Sequence, residues 1–257
     1  MKHCVVIPHF NHADQLSEFL PKLMSSGVPV IVVDDGSDIG QREKLRALLA
    51  TYPDASLHLT ERNEGKGAAF FKGVDIAGAL GFTHVVQIDA DGQHDAKQLV
   101  EFIGQSCAYP RALICGAPIF DDDAPRARVY GRRVTDFFVM LETLSLAIRD
   151  SLCGYRVYPL DALGELRSRY SFAEGMGIDT DLIVKFSWEG VPIRFLDTRI
   201  VYGEGGVSHF RYFGDNLRLV RLHVRLLWGA IFRIPRFLFG RRRLKPSIDH
   251  RRGSTGA

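Results

Sequence analysis

Three carboxylates fall within eleven residues, VVQIDADGQHD, at positions 85–95. Asp89 and Asp91 stand two apart, at the point where an apolar run stops. On an extended segment, side chains two apart lie on the same side, so two acids placed this way repel each other. A divalent cation between them removes that cost. Hard cations such as Mg²⁺ and Mn²⁺ take oxygen ligands, often one or two carboxylates completed by substrate phosphates. The implied chemistry is a metal-held diphosphate. The competing reading is a solvated turn, since Asp and Gly are both common turn residues.

Two further stretches repeat the theme. VVDDGS (32–37) ends another apolar run with Asp34 and Asp35. Acids there can accept from a nucleobase N–H or a ribose hydroxyl, or simply precede a helix cap at Ser37 or Asp38. RNEGKGAA (62–69) offers glycines that let backbone approach a ligand, a helix start that favours phosphate, and the charge of Lys66. It is no P-loop, because Gly67 follows the lysine where Ser or Thr is required.

These acids need strands to position them. Short β-branched runs at 4–8, 28–35, 55–62 and 83–89 read as buried strands, each followed by a segment of helical periodicity. Four strand–helix alternations predict an α/β fold with a mostly parallel sheet and helices on both faces. Ligands of such sheets bind beyond the carboxyl ends of the strands, where all four acids lie. Further along, 112–120 reads as a strand, 121–128 as a loop, 134–150 as a helix rich in large apolar residues, 174–189 as a helix and 192–202 as a strand. Asn11 is a candidate helix cap, and Pro21 is expected to kink the first helix.

Taken in order, VVIPHFNH, VVDDGS, NEGKGAA and DADGQHD resemble family 2 glycosyltransferases, most closely the polyprenyl- or dolichyl-phosphate hexosyltransferase branch. The resemblance covers roughly residues 1–210 and implies the GT-A (nucleotide-diphospho-sugar transferase) fold. It implies a nucleotide-sugar donor and a divalent metal, Mg²⁺ or Mn²⁺. By position, Pro8, Asn11, Asp34, Asp35, Asn63, Gly65, Lys66, Asp89 and Ala90 would bind the nucleotide sugar, and Asp89 and Asp91 the metal. DSLCGYRVYP resembles the acceptor-side loop, with Gly154, Tyr155 and Arg156. GIDTDLI resembles the segment carrying the acceptor-side acid. Asp179 and Asp181 are its candidates, and residues two apart on a helix point ~200° apart, so at most one faces the donor. The match favours Asp181, with Asp179 and Arg156 as further catalytic candidates; surface or capping roles are the alternative. His209, after GEGGVS, is a candidate third metal ligand or a polar loop residue. Where the family often reads P-x-x-N-E, this chain has Asn11-His12, which leaves the usual glutamate without a counterpart. The family's single displacement implies inversion at C1.

Of 257 residues, 46% are hydrophobic and 25% charged, enough apolar material for one large core. The net charge of +3 is small, but it concentrates after Arg211. No binding motif accompanies it, so nucleic acid is not expected as a partner. Within 215–245 arginines alternate with Leu, Val, Trp and Phe, and Arg218, Arg221 and Arg225 share a helical stripe. Arginines interrupt 217–239 too often for a bilayer span. An interfacial helix on an anionic membrane surface is expected instead, with packing on the catalytic domain as the alternative. Arg132 and Arg133, placed before an apolar helix, could meet an acidic lipid head. The four cysteines lack C-x-x-C spacing and read as free thiols of a reducing compartment. The expected organisation is a catalytic domain (1–210), a basic amphipathic membrane-associating segment (211–245) and a disordered tail (246–257). The expected protein is a cytoplasmic, membrane-peripheral glycosyltransferase that moves a hexose to a lipid-carrier phosphate or a lipid-linked hydroxyl. A transferase with a soluble acceptor, or a silent nucleotide-sugar binder or membrane adaptor, remains the alternative. A nucleotidyltransferase would show a G-x-G-T-R start, which is absent.

Overall fold

A computed structural model describes residues 1–119, 126–199 and 212–234; at 126–129 and 212–216 the backbone alone is described. The chain alternates β1 (His3–His9), α1 (Ala13–Met24), β2 (Val30–Asp34), α2 (Ile39–Leu49), β3 (Ala55–Leu59), α3 (Lys66–Ala79), β4 (His84–Gln87) and α4 (Leu99–Ala108). Then follow β5 (Leu113–Ile119), α5 (Arg126–Thr143), β6 (Arg156–Pro159), α6 (Leu160–Arg169), α7 (Ile178–Trp188), β7 (Ile193–Arg199) and α8 (Tyr212–Ile231). The seven strands form one sheet in the order β3-β2-β1-β4-β6-β5-β7. Only β6 runs against its neighbours, β4 and β5.

The strands are apolar on both faces because both faces are covered. Cys4 and Val6 of β1, with Ile31 and Val33 of β2, look toward α3, α6, α7 and α8. Val5 and Ile7, with Val30 and Val32, look toward α1, α2 and α4. The approach of α3 is close: a Cβ at Gly73 would lie 2.4 Å from Val6 Cγ1. The C-terminal helix belongs to the same core, through Leu222, Leu226 and Ala230. Among the described residues no helix is long and apolar enough to cross a membrane.

Several local expectations are corrected. Helix α5 begins at Arg126 rather than near residue 134, because the Arg- and Ala-containing stretch before it is itself helix-forming. Arg132 and Arg133 therefore lie inside the helix, not before it. The helix stops at Thr143 rather than near 150, where Leu144 turns to a φ of 50°. Helix α6 is an addition: Leu163 and Leu166 are its only buried residues, a face too small to stand out in sequence. Helix α1 runs through Pro21 for one more turn. Its N-cap is His12, and Asn11, at a φ of 54°, has other partners.

Gly73→Ala should push a β-branched core side chain that cannot swing aside. The expected loss is about 1–3 kcal/mol, read as a lower urea midpoint with an unchanged slope.

Candidate active site

The loops after β1, β2 and β3 converge on the two acids that end the VVDD run. Asp34 is fully buried. It accepts the Ser37 amide at 3.2 Å and a short bond from the Ser37 hydroxyl. His9 Nδ1 lies 2.9 Å from Oδ1, the oxygen that also takes the Ser37 hydroxyl. The His12 amide donates to His9 Nε2 at 3.1 Å, which puts the ring proton on Nδ1 and makes it the donor to Asp34. Burial alone would raise the Asp34 carboxyl, but the bonds from His9 and Ser37 outweigh it and hold it below the usual carboxylate range. Asp35 accepts the amides of Glu64 and Gly65 at 2.9 and 2.7 Å. Burial raises its carboxyl against the pull of those two bonds.

Asn11 crosses between loops. Its amide donates to Ser37 Oγ at 2.8 Å, and its side chain exchanges bonds with the Asp38 carboxylate and amide. Pro8 is buried in β1, opposite Val33. Asn63 is exposed, on a loop so close to Gly36 that a Cβ there would lie 2.4 Å from the Asn63 nitrogen. The structure thus gathers Pro8, Asn11, Asp34, Asp35, Asn63 and Gly65 beyond the carboxyl ends of β1, β2 and β3.

Lys66, the first residue of α3, joins this group to the second acid pair. Its Nζ lies 2.7 Å from Asp89 Oδ1 and 2.7 Å from Asp179 Oδ2. Gln87 Nε2 donates to the other Asp179 oxygen at 2.7 Å. Burial pushes the Asp89 carboxyl up, yet Lys66, His94 and Arg156 together bring it below its ordinary value. Asp91 goes the other way, raised by burial and by the Asp89 charge. Among the described residues no Lys or Arg pairs with Asp91; its Oδ1 accepts the Gln93 amide at 3.1 Å, the bond of an Asx turn. The small Ala90 is buried between the two acids. Opposite, a Cβ at Gly154 would lie 2.4 Å from Asp89 Oδ2, so only glycine lets the 150–155 loop lie on that carboxylate.

Arg156 is fully buried. Its guanidinium donates to the carbonyls of Cys153, Ser151 and Asp179 at 2.8, 2.8 and 2.5 Å. It braces the 150–155 loop against the start of α7. Asp179 and Asp181 diverge, as residues two apart on a helix must. Asp179 faces Lys66. Asp181 points to α8, where it meets Arg225 at 2.9 Å; it also pairs with Lys185 one turn on in α7 and accepts the Ala173 amide at 2.8 Å. The next carbonyl in that loop, of Glu174, accepts the Gly67 amide at 2.6 Å and the Ala68 amide at 3.3 Å. A protein carbonyl thus holds the amides at the start of α3 that the sequence offered to a phosphate.

Among the described residues no three His, Cys, Asp or Glu side chains form a ready-made metal cage. Asp89 and Asp91 nonetheless fit a hard cation whose remaining ligands come from a diphosphate. Among the described residues Asp91 has no cationic partner, and the buried ring of His94 beside them has an Nδ1 without a hydrogen bond. His209 lies outside the described residues.

Next to the Gly154 loop opens a cavity of about 180 Å³ lined by Arg132, Arg133, Arg149, Asp136 and Asp150. Asp150 pairs with Arg132 and accepts the amides of Leu152 and Cys153 at 3.0 and 2.6 Å. One carboxylate therefore ties the arginine cavity to the loop that lies on Asp89. Burial, then repulsion from Asp150, pushes the Asp136 carboxyl up to about 6. His9, Gln87, Asp136 and Asp150 escaped the sequence reading. The first two are single polar residues inside apolar runs, a weak signal that only burial makes meaningful.

A mostly parallel sheet with an acid pair at the end of its fourth strand, facing a lysine at a glycine-rich helix start, defines a nucleotide-diphospho-sugar transferase of the GT-A fold. Solved structures agree on the fold. Glucosyl-3-phosphoglycerate synthase of Mycobacterium tuberculosis in complex with phosphoglyceric acid superposes with a TM-score of 0.62 at 17% identity, over 89% of this chain and 79% of that one. A Pyrobaculum calidifontis mannosyltransferase in complex with GDP-Man and Mn²⁺ gives 0.59 at 19%, over 90% and 64%. The family model of Glycosyl transferase family 2 matches residues 4–167, and the chain belongs to that family. It is a glycosyltransferase. The polyprenol monophosphomannose synthase of Mycolicibacterium smegmatis is 26% identical over 90% of this chain and 88% of its own. The undecaprenyl-phosphate mannosyltransferase of Micrococcus luteus is 26% identical over 81% and 88%.

The Asp34 network gives a pH signature. Its folded carboxyl lies below the unfolded value of ~4, so its stabilisation is full above that pH and is lost as pH falls through the folded value. Asp34→Asn should cost about 1–3 kcal/mol at pH 7, and the gap to the parent should close in urea titrations below pH ~4.

Proposed function

We propose that this glycosyltransferase moves a hexose, with inversion at C1, from a nucleoside-diphosphate sugar to the phosphate of a polyprenyl-type lipid carrier, in the presence of Mg²⁺ or Mn²⁺. The observation that carries the reading is the placement of Gly154. Its loop brings the arginine cavity, through Asp150, against the carboxylate at the end of β4. A site for an anionic acceptor then borders a site for a diphosphate donor. The names of the two mannosyl-transferring relatives support the same acceptor class.

Asp35, Gly65 and the loops around them would take the nucleoside, with Pro8, Asn11, Asp34 and Asn63 as the wall beneath. Asp91 and the outer oxygen of Asp89 would hold the cation. Bound there, the cation neutralises charge on the departing diphosphate as a Lewis acid. Lys66 would share that task from the side, held in place by Asp179. An oxygen of the acceptor phosphate attacks C1, the bond from C1 to the diphosphate breaks, and the nucleoside diphosphate leaves. The positive, oxocarbenium-like charge that builds on the sugar faces an acid-rich lip. A phosphate acceptor is ionised already, so it needs positioning by Arg132, Arg133 and Arg149 rather than a base. A hydroxyl acceptor would need one, and Asp179 is the acid nearest the donor side, while Asp181 is held by Lys185 and Arg225. Arg156 would act by bracing the loop. The free cysteines and the basic C-terminal segment fit a cytoplasmic enzyme working on the inner membrane face.

A thermal-shift screen of UDP-, GDP- and dTDP-sugars, with and without Mn²⁺, tests the donor side. One sugar nucleotide should raise Tm further with the metal, and Asp91→Asn should lose that metal-dependent increment. A chain that no sugar nucleotide stabilises refutes the reading. Gly154→Ala should leave the fold intact but displace Asp89 enough to lower turnover of that donor about 100-fold. Polyprenyl phosphate and phosphoglyceric acid, offered side by side as acceptors, separate the lipid reading from a soluble one.

A further inference from the structure

We infer that α5 and α8 together form the face through which the chain seats on an anionic bilayer, so that α5 adds an apolar stripe of its own to the basic C-terminal segment and the Arg132–Arg133 pair that the sequence offers to lipid. The inference extends the lipid-acceptor reading and shares its premise of work at a membrane.

Helix α5 exposes Tyr130, Val134, Phe137 and Leu141, continued by Leu144. At 100° per residue the four helical ones span an arc of about 60°, and Leu144 follows just past the end of the helix. The opposite row, Thr135, Val139 and Glu142, is buried. Helix α8 does the same: Leu217, Val220, Val224, Trp228 and Ile231 are exposed on an arc of about 80°, opposite the buried Leu222, Leu226 and Ala230. A surface helix of a water-soluble protein turns polar residues outward. Both of these turn apolar ones.

The helices lie side by side over α7. His223 Nδ1 of α8 meets Glu142 Oε1 of α5 at 2.6 Å, and the Phe138 and His223 rings are 5.2 Å apart. Trp188 of α7 donates to the Glu142 carbonyl and would crowd any side chain placed at Gly229. With both buried rows turned inward, the two stripes share one outward face.

The charges identify the occupant. Arg133 borders the α5 stripe and Arg221 that of α8, both on exposed positions, while Arg225 further round α8 is held by Asp181. Among the described side chains of α5 and α8 no Asp or Glu lies on that face: Asp136 lines the cavity and Glu142 is buried. An apolar stripe with an arginine margin and no acids matches anionic headgroups over acyl chains. A second copy of the chain fits less well, because a two-fold contact through this face would set like arginines against each other. The seat also explains the position of the cavity. Arg133 belongs both to the margin of the stripe and to the cavity lining, so a chain lying on this face opens the cavity at headgroup level.

The two tryptophans make the test direct. Trp188 is buried, whereas Trp228 is 60% exposed. Full-length protein is mixed with vesicles of phosphatidylcholine and phosphatidylglycerol, and with the same vesicles carrying brominated acyl chains. Emission should shift to the blue and be quenched, and Trp228→Phe should abolish both changes. The α5 double variant Val134→Ser/Phe137→Ser, at exposed positions away from the site, should keep its Tm and its response to sugar nucleotides. Its partition into vesicles should fall about 10-fold or more, and 0.5 M NaCl should weaken the parent's. Parent protein that stays off anionic vesicles overturns the inference. So does an α5 variant that partitions like the parent, or a parent dimer in sedimentation that this variant dissociates. Vesicle binding through both helices in a chain that takes no sugar nucleotide would refute the proposed chemistry and leave this inference standing.

Discussion

The ammonium of Lys66, 2.7 Å from one oxygen each of Asp89 and Asp179, is the interaction on which the rest of the site is built. Without it, two carboxylates from distant parts of the chain would face each other in a largely dehydrated pocket. Burying three charges is seldom a route to stability, because the desolvation they suffer rivals their attraction. What the triad supplies is geometry. It fixes Asp89 at the end of β4, it fixes the first turn of α7, and it requires α3 to start where it does. Gly65 has a φ of 102°, and a Cβ at Gly67 would lie 2.3 Å from the Ala173 carbonyl. Gln87 and Arg156 hold Asp179 by its side chain and by its carbonyl, so neither end of the ammonium bridge can drift.

The second constraint is the contact between Gly154 and Asp89, which sets opposite charges on the two sides of one loop. Acids line the donor side. Three arginines line the cavity on the other side, with two acids among them. Asp150 serves both, pairing with Arg132 while its second oxygen organises the amides of the loop. A donor losing a diphosphate and an acceptor carrying an anion need such a division. On the proposed reading, one anion would meet a cation held by the acids and the other the arginines, with the reacting carbon between.

Much of this is legible in sequence, and the reasons differ by element. The strands β1, β2 and β4 announce themselves because parallel strands covered on both faces are continuous apolar runs, and the acids that follow β2 and β4 mark the carboxyl ends of the sheet. The periodicity of a helix also shows that Asp179 and Asp181 must point apart. Which of them meets Lys66 is decided by where α8 lands, a long-range fact with no local signature. The early start of α5 is hidden because a helix that turns apolar residues outward and carries arginines among them reads as loop or as core, not as surface. His9 and Gln87 are hidden because a lone polar residue in a strand says nothing until its partner is known.

Helix α8 is more than an appendage. Arg225 on its outer side reaches Asp181, which holds the Ala173 amide; the adjoining Glu174 carbonyl holds the first amides of α3, whose leading residue is Lys66. Leu222 presses on the backbone at Gly177 so closely that a Cβ there would lie 2.7 Å away. The second oxygen of Asp181 faces Lys185, and Lys185 in turn donates to the Ser171 carbonyl and lies over the Phe172 ring. Each contact of this series is buried or half-buried, where a hydrogen bond is electrostatically stronger than at the surface and an unpaired partner is expensive. Loss of Asp181 would therefore leave the Ala173 amide without its acceptor in a half-buried place. The 171–177 loop is consequently set by two elements at once, α3 beneath it and α8 above it. The start of α3, which carries Lys66, is thereby registered against the helix that bears the exposed apolar stripe.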